Sequence, residues 1–184
     1  SQVFTQTPVY PPFLSAPGDF DLSCVRVPMH LTAERFSFDF QSMDALPTCP
    51  SDLFMLCHPH NPVGTVFNRE ELNRFAQWTL ERDLYVCSDE IHCDLLLEPG
   101  LKHIPLASIS PEIADRTITL MAPSKTFNLP GFGCSFAVIS NGELRRKFKK
   151  AISGIVPDPP AMGFALAETA YRTGESWRIE LIDY

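Results

Sequence analysis

The sequence predicts an α/β fold in which a mostly parallel sheet lies between two layers of helices. Short apolar runs alternate along the chain with longer stretches whose apolar residues recur at helical spacing. Seventeen prolines against nine glycines force many turns and argue against an all-helical chain. A length of 184 residues, with 45% hydrophobic and 20% charged residues, suits one folded domain rather than a disordered chain. We therefore expect a three-layer α/β/α domain.

The candidate strands are six apolar runs bounded by turn residues. They lie at residues 3–5, 24–28, 53–57, 84–88, 117–122 and 134–140. Residues 53–57 are apolar throughout, which is typical of a strand covered on both faces. The turn after this run is forced by Pro59, Pro62 and Gly64.

Three stretches are the candidate helices. Asn68 and Glu71 have the spacing of a capping box, and the apolar residues that follow recur on one helical face. A basic stretch at 143–153 follows Asn141, and its charges are typical of a solvated face. The prolines of 157–160 end that helix, and residues 161–171 form the last predicted helix.

The composition also indicates which classes of partner the protein is not expected to bind. A net charge of −7 is unfavourable for binding nucleic acid. No apolar run approaches the roughly 20 residues that cross a bilayer, and no basic segment followed by an apolar stretch marks a secretion signal. The six cysteines contain no Cys-x-x-Cys pair, and a chain of this length needs no disulfide staples. We expect no nucleic-acid or membrane partner, reduced cysteines and a cytoplasmic location.

Polar residues follow three successive central strands, at Asn61, Asp89 and Lys125. Ligands of parallel sheets collect beyond the carboxyl ends of the strands. Lys125 is the one lysine of five that directly follows an apolar run, and a desolvated lysine can act as an amine nucleophile or Schiff-base partner. A buried carboxylate at Asp89 needs a cationic partner, such as a protonated pyridine nitrogen. Asn61 offers an amide to a ring hydroxyl.

Each of these three residues also fits a plainer role when it is taken alone. Lys125 fits a loop lysine that points to solvent, Asp89 fits a turn cap, and Asn61 before a proline is a common turn starter. Their order along the chain, rather than any single residue, indicates a common site.

A metal site is a rival interpretation, because potential ligands cluster near two strand ends. They are Cys57, His58, His60, His92 and Cys93. Zinc requires four ligands in a tetrahedral array at recognisable spacings, and these residues follow no standard ligand pattern. The sequence therefore disfavours a metal centre.

Three motifs in order resemble the signatures of the fold-type I, class I/II pyridoxal-phosphate-dependent enzymes. They are His-Asn-Pro-Val-Gly at 60–64, Ser-Asp-Glu-Ile-His-Cys-Asp at 88–94 and Ala-Pro-Ser-Lys-Thr-Phe-Asn at 122–128. Within that superfamily, Asp-Glu-Ile-His and Ser-Lys-Thr-Phe-Asn are similar to the cystathionine β-lyase (C–S lyase) branch. The resemblance implies pyridoxal 5′-phosphate as the cofactor.

The resemblance also implies a role for each matching residue. Lys125 would form the Schiff base with the cofactor and later move the Cα proton of the substrate. Asp89 would pair with the pyridinium nitrogen, and Asn61 would donate to the ring 3-hydroxyl. The aromatic ring of Tyr10 would stack on the cofactor.

Two further positions are implied with less support from their residue types. His92 stands where many aminotransferases carry a tyrosine that bonds the same ring oxygen, and Ser124 is a candidate phosphate contact.

Three positions depart from the family pattern. Gly133 replaces a frequent phosphate-binding arginine, as in the lyase branch, whereas Ala122 replaces a frequent serine and His58 replaces the first asparagine of the Asn-Pro motif.

Members of this family are considerably longer, and the resemblance aligns the chain with the centre of one. It implies an incomplete cofactor-binding large domain at residues 1–155 and a helical segment at 156–184 that leads towards a small domain. The family's phosphate-cradling loop would lie upstream, and its substrate-carboxylate arginine downstream. The resemblance also implies a homodimer whose active sites are shared between the two subunits.

The expected reaction is C–S β-elimination from an amino-acid substrate. The alternative within the same class is a class I/II aminotransferase, which shares the opening steps. The alternative from another class is a non-catalytic α/β remnant or interaction domain that keeps the fold without the chemistry. The presence of both Asp89 and Lys125 argues against such decay.

Overall fold

A six-stranded sheet forms the centre of the protein, as the computed structural model of all residues Ser1–Tyr184 shows. Its strands are β1 (Gln2–Thr7), β2 (Ser23–Pro28), β5 (Leu53–Cys57), β6 (Tyr85–Asp89), β7 (Thr117–Met121) and β8 (Phe136–Val138), and a separate hairpin joins β3 (His30–Leu31) to β4 (Phe36–Ser37). The strand order is β2-β1-β5-β6-β7-β8. Only β8 runs antiparallel to its neighbour, so the mostly parallel sheet is confirmed.

Seven α-helices accompany the sheet: α1 (Pro12–Ser15), α2 (Phe40–Asp44), α3 (Arg69–Glu81), α4 (Pro111–Ala114), α5 (Gly142–Ile152), α6 (Ala161–Thr173) and α7 (Glu175–Asp183). The predicted capping box starts α3, because the Asn68 side chain accepts from the Glu71 amide at 2.9 Å and Glu71 accepts from the Asn68 amide at 2.9 Å. Asn141 caps α5 in a related way. None of the helices combines the length and the hydropathy that a membrane crossing requires.

The main core lies between one face of the sheet and the helices α2, α3 and α4. Phe54 and Leu56 of β5 pack there against Leu72 and Phe75 of α3, and all four side chains are fully buried. These helix positions are the ones that the apolar spacing predicted. Burial of each such side chain stabilises the fold by about 1.5–3 kcal/mol.

The opposite face of the sheet is covered less completely. Helix α1 packs there through Phe13, which joins Val9 and Cys57 in a small buried cluster. Leu53 and Met55 of β5 remain half-buried. The expected burial of β5 on both faces is therefore found only at its carboxyl end, where α1 covers it.

Strand register determines where the site lies. Cys57 is the partner of Asp89, and Asp89 is the partner of Leu120. The strands β5, β6 and β7 therefore end at the same level, and the segments that follow them leave the sheet at one edge. All six cysteines are free thiols.

Candidate active site

Backbone hydrogen bonds tie the three strand ends together. The amide of His58 donates to the carbonyl of Asp89 at 2.9 Å, and the amide of Glu90 donates to the carbonyl of Leu120 at 2.9 Å. The residues that continue each strand therefore start side by side. The segments that carry the predicted site residues Asn61 and Lys125 therefore leave the sheet on either side of Asp89.

Asn61 lies in a tight turn directly after β5. The backbone amide of His60 donates to the carbonyl of Thr65 at 2.8 Å, and the backbone amide of Gly64 donates to the carbonyl of His60 at 2.8 Å. These two hydrogen bonds close the turn. Gly64 has a φ of +71°, which a side chain would disfavour. The backbone amide of Asn61 donates to the thiol sulfur of Cys57 at 3.3 Å. These contacts hold the half-buried Asn61 at the tip of the turn.

Tyr10 is attached to the same turn. Its backbone amide donates to the carbonyl of Asn61 at 3.0 Å, and the ring nitrogen Nε2 of the buried His60 donates to the carbonyl of Pro8 at 2.8 Å. The Tyr10 side chain is 47% exposed. An aromatic face is thus open to solvent beside Asn61.

Asp89 is a half-buried carboxylate without an ion-pair partner. Its one hydrogen bond is from the amide of Ile91, at 3.2 Å. Burial raises the pKa of this carboxyl, while the Ile91 hydrogen bond and the nearby His92 and Lys125 lower it. A cation next to Asp89 would supply the ion-pair partner that its carboxylate lacks within the chain.

Two of the other predicted residues, His92 and Lys125, lie close enough to Asp89 to influence the pKa of its carboxyl. Burial lowers the pKa of His92, Asp89 raises it and Lys125 lowers it, so His92 is a neutral imidazole near pH 7. Lys125 is exposed and makes no ion pair or side-chain hydrogen bond. The hydroxyl of the half-buried Ser124 also makes no hydrogen bond within the chain.

The loop that carries Lys125 is held by its own backbone and by an aromatic contact. The Phe127 amide donates to the carbonyl of Pro123 at 2.9 Å. The Phe127 ring lies 5.8 Å from the ring of Tyr171 and 6.2 Å from that of Trp177, measured between centroids. The segment of α6 and α7 therefore packs against the lysine loop. No local sequence pattern predicts these contacts, because the aromatic residues lie 44 and 50 positions apart along the chain.

The potential metal ligands are not brought together. No group of three or more His, Cys, Asp and Glu side chains in the chain is arranged to hold a metal ion. His58 and His60 donate from Nε2 to different carbonyls, those of Ile104 at 3.2 Å and Pro8 at 2.8 Å. Burial lowers the pKa of His58 to about 3 and also lowers that of His60. Both histidines are therefore neutral parts of the core.

A cleft of about 870 Å³ opens beside the site. Asn61 and His92 line it, together with Arg35 of the β3–β4 connection and Leu95 and Leu96 from the loop after β6. Asp89 and Lys125 are not part of its lining. Two of the six predicted residues thus face a space large enough for a small organic molecule.

The side chains fit pyridoxal phosphate. Asp89 is an unpaired carboxylate that suits a cationic ring nitrogen, and Tyr10 presents an open aromatic face to a flat ring. The side-chain amide of Asn61 is carried by a hydrogen-bonded turn, and the Lys125 amine makes no ion pair or hydrogen bond within the chain. The Ser124 hydroxyl, which makes no hydrogen bond within the chain, is available to a phosphate.

Comparison with known proteins agrees with this fit. The family model for aminotransferases of class I and II matches residues 1–178. The cystathionine beta-lyase PatB of Bacillus subtilis is 37% identical over 189 residues, which cover 100% of this chain and 48% of that protein. Among solved structures, OvoB superposes with a TM-score of 0.96 at 44% identity, covering 100% of this chain and 48% of that one. Cystalysin from Treponema denticola, whose crystal structure contains pyridoxal 5′-phosphate, superposes with a TM-score of 0.93 at 34% identity, covering 100% and 47%. The chain spans about half the length of the curated relatives it matches.

Proposed function

The chain belongs to the aminotransferase class I and II family, whose members depend on pyridoxal phosphate, and we propose that it is the central part of a C–S lyase. The observation that carries the proposal is the placement of Asn61, Asp89 and Lys125 at adjacent strand ends, with Asp89 lacking a cation of its own. In this proposal residues 1–155 belong to the large, cofactor-binding domain, and residues 156–184 lead towards a small domain.

The proposed site assigns a task to each residue. Lys125 binds the aldehyde carbon of the cofactor, Asp89 holds a proton on the ring nitrogen, and Asn61 donates to the ring oxygen. Tyr10 stacks on the ring, His92 lies beside Asp89 as a neutral imidazole, and Ser124 is a phosphate contact. When bound, pyridoxal phosphate withdraws electrons from the substrate's α-carbon and weakens the bond to its hydrogen.

The chain's residues would then handle the protons of the reaction. The Lys125 amine, displaced by the amine of the substrate, takes the α-proton. Asp89 keeps the ring nitrogen protonated during this step, because its negative carboxylate stabilises the positive charge at close range. In β-elimination the C–S bond then breaks, and the thiolate leaves the β-carbon and takes up a proton. The remaining enamine is hydrolysed by one water molecule to pyruvate and ammonia.

Covalent attachment at Lys125 tests the cofactor assignment. The full-length protein is mixed with pyridoxal phosphate, reduced with borohydride and digested, and the labelled peptide is identified by mass spectrometry. We expect the label on Lys125 and its loss in Lys125→Arg, whereas Lys102→Arg, a change at an exposed loop lysine, keeps it. A parent protein without label would reject both enzymatic functions and favour the non-catalytic α/β domain.

The choice between lyase and aminotransferase depends on the fate of the substrate. The similarity to a cystathionine beta-lyase favours elimination, and the family model favours transamination as the second candidate. The full-length protein is given an L-cysteine conjugate without any 2-oxo acid. Release of thiol and pyruvate supports the lyase, and turnover that requires a 2-oxo acid supports the aminotransferase.

The proposal extends to partners and location. We propose an amino-acid substrate, a homodimer in which the two subunits share their sites, and a cytoplasmic protein. Six free cysteines support a reducing compartment. Light scattering coupled to gel filtration tests the dimer, and a monomer that turns over substrate would reject it.

A further inference from the structure

Glu90 is a fully buried carboxylate next to Asp89 that the proposed chemistry does not use. Its side chain has no exposed surface, yet it is well satisfied. Oε1 accepts from the Ser88 hydroxyl at 2.9 Å and from the Leu106 amide at 3.1 Å, and Oε2 is 2.6 Å from Nε2 of His103. Burying a carboxylate is costly unless donors surround it. An apolar residue would fill the same space at lower cost.

His103 extends this contact to the neighbouring strand end. Its ring packs against that of His58, with 4.6 Å between centroids and 35° between planes. His58 in turn donates from Nε2 to the carbonyl of Ile104, and from its backbone amide to the carbonyl of Asp89. The loop 103–106 therefore holds the ends of both β5 and β6 from inside the protein.

The direction of the Asp89 side chain depends on its backbone. Its carboxylate makes no ion pair, and its one hydrogen bond is with the amide of Ile91, two residues along the same segment. The orientation of the side chain therefore follows that of the local backbone. Successive side chains of an extended segment point to opposite sides. Because Glu90 is anchored in the interior and its amide is bonded to the carbonyl of Leu120, Asp89 is held facing the other side, where Cys57 lies.

We infer that Glu90 and His103 are positioning residues that orient Asp89 towards the cofactor ring and, through His58, support the turn that carries Asn61. The inference rests on the proposed function, since it concerns the same site. Glu90 is fully buried and the His103 side chain is 9% exposed, so the proposal gives neither residue a direct contact with pyridoxal phosphate. Their effect on cofactor binding must therefore pass through Asp89 or through the Asn61 turn. The Glu90–His103 contact acts on Asp89, and the packing of His103 on His58 acts on the turn.

A double-mutant cycle on the full-length protein tests this route. Equilibrium dialysis gives the dissociation constant of pyridoxal phosphate for the parent, for His103→Phe, for Asp89→Ala and for the double variant. Phenylalanine keeps the ring packing on His58 but removes the donor to Glu90. We expect His103→Phe alone to raise the constant about tenfold and to have almost no effect in the Asp89→Ala protein. His103→Gln, which keeps an N–H donor, is expected to recover most of the affinity.

Two further variants and the melting temperature separate positioning from general stability. Glu90→Gln is expected to act like His103→Phe, and Ser88→Ala, which removes one donor and little volume, gives a smaller loss of affinity if Glu90→Gln does not fold. A lower melting temperature with an unchanged dissociation constant would overturn the inference. So would equal losses from His103→Phe with and without Asp89.

The outcome for the parent protein distinguishes the two proposals. A parent that binds no pyridoxal phosphate overturns the proposed function, and this inference with it. A parent that binds the cofactor and loses affinity in Asp89→Ala, but is indifferent to His103→Phe, overturns the positioning role alone.

Discussion

The backbone amide of Tyr10 donates a hydrogen bond of 3.0 Å to the carbonyl of Asn61. This bond joins the segment after β1 to the turn after β5, and the two strands are themselves neighbours in the sheet. The aromatic ring and the amide proposed to bind one cofactor are therefore parts of one rigid unit. Moving either segment would displace both.

The Tyr10 ring is expected to contribute to cofactor affinity through its face rather than its hydroxyl. Tyr10→Ala should raise the dissociation constant of pyridoxal phosphate about 3- to 10-fold, the effect of losing one stacked ring. Tyr10→Phe should leave it nearly unchanged. Phe20→Ala removes another exposed ring, 68% accessible, and serves as the control in equilibrium dialysis. An equal loss from Phe20→Ala would contradict a specific role for Tyr10.

Asp89 is expected to lower the stability of the cofactor-free protein. Because the pKa of this carboxyl is raised above its ordinary 3.8 in the folded state, stability is lost as the pH rises through that folded-state pKa. At neutral pH, Asp89→Asn should therefore raise the melting temperature of the apoprotein by about 2 °C. The same change should weaken binding of pyridoxal phosphate. Asp19→Asn, at an exposed residue, should change neither value, and a lower melting temperature in Asp89→Asn would reject the argument.

Asn61, Asp89 and Lys125 could be placed near one another from the sequence because each lies at the end of a short apolar run or in the turn that follows one. Parallel pairing then brings the ends of such runs to one edge without any further information. The start of α3 was equally accessible, because the Asn68–Glu71 capping box is a local pattern. The predicted site thus depended on features that lie within a few residues of one another.

The supports of the site were not predictable in this way. Glu90 and His103 are 13 residues apart and are joined by a segment without regular structure. Phe127 meets Trp177 across 50 residues. Such contacts arise from the packing of loops and helices on the sheet, and no spacing rule connects them. Helix α7 and the short β3–β4 hairpin also lacked a periodic signal.

His58 is expected to make the protein sensitive to acid. Its pKa is about 3 in the folded state against an ordinary 6.5, so the unfolded chain binds the extra proton first. The stability due to its neutral form is complete above pH 6.5 and is lost as the pH falls towards 3, at about 1.4 kcal/mol per pH unit between the two pKa values. Urea unfolding across this range should show a shallower decline in His58→Asn. The control His30→Asn, at an exposed histidine, should follow the parent, and a parent-like slope in His58→Asn would contradict the assignment.

Gly163 is expected to be required for α6 to reach the loop beyond Lys125. A Cβ atom at this position would lie 2.5 Å from the backbone carbonyl oxygen of Phe132, so alanine must push the helix away. Gly163→Ala should lower the free energy of unfolding by about 1–3 kcal/mol, although alanine is the better helix former. Gly142→Ala is the control, since a Cβ atom added at that helical glycine would come no closer than 3.9 Å, to the side chain of Arg145. This variant should be neutral or slightly stabilising. If thermal denaturation ranks Gly163→Ala with Gly142→Ala, the close approach of α6 to Phe132 does not contribute to stability.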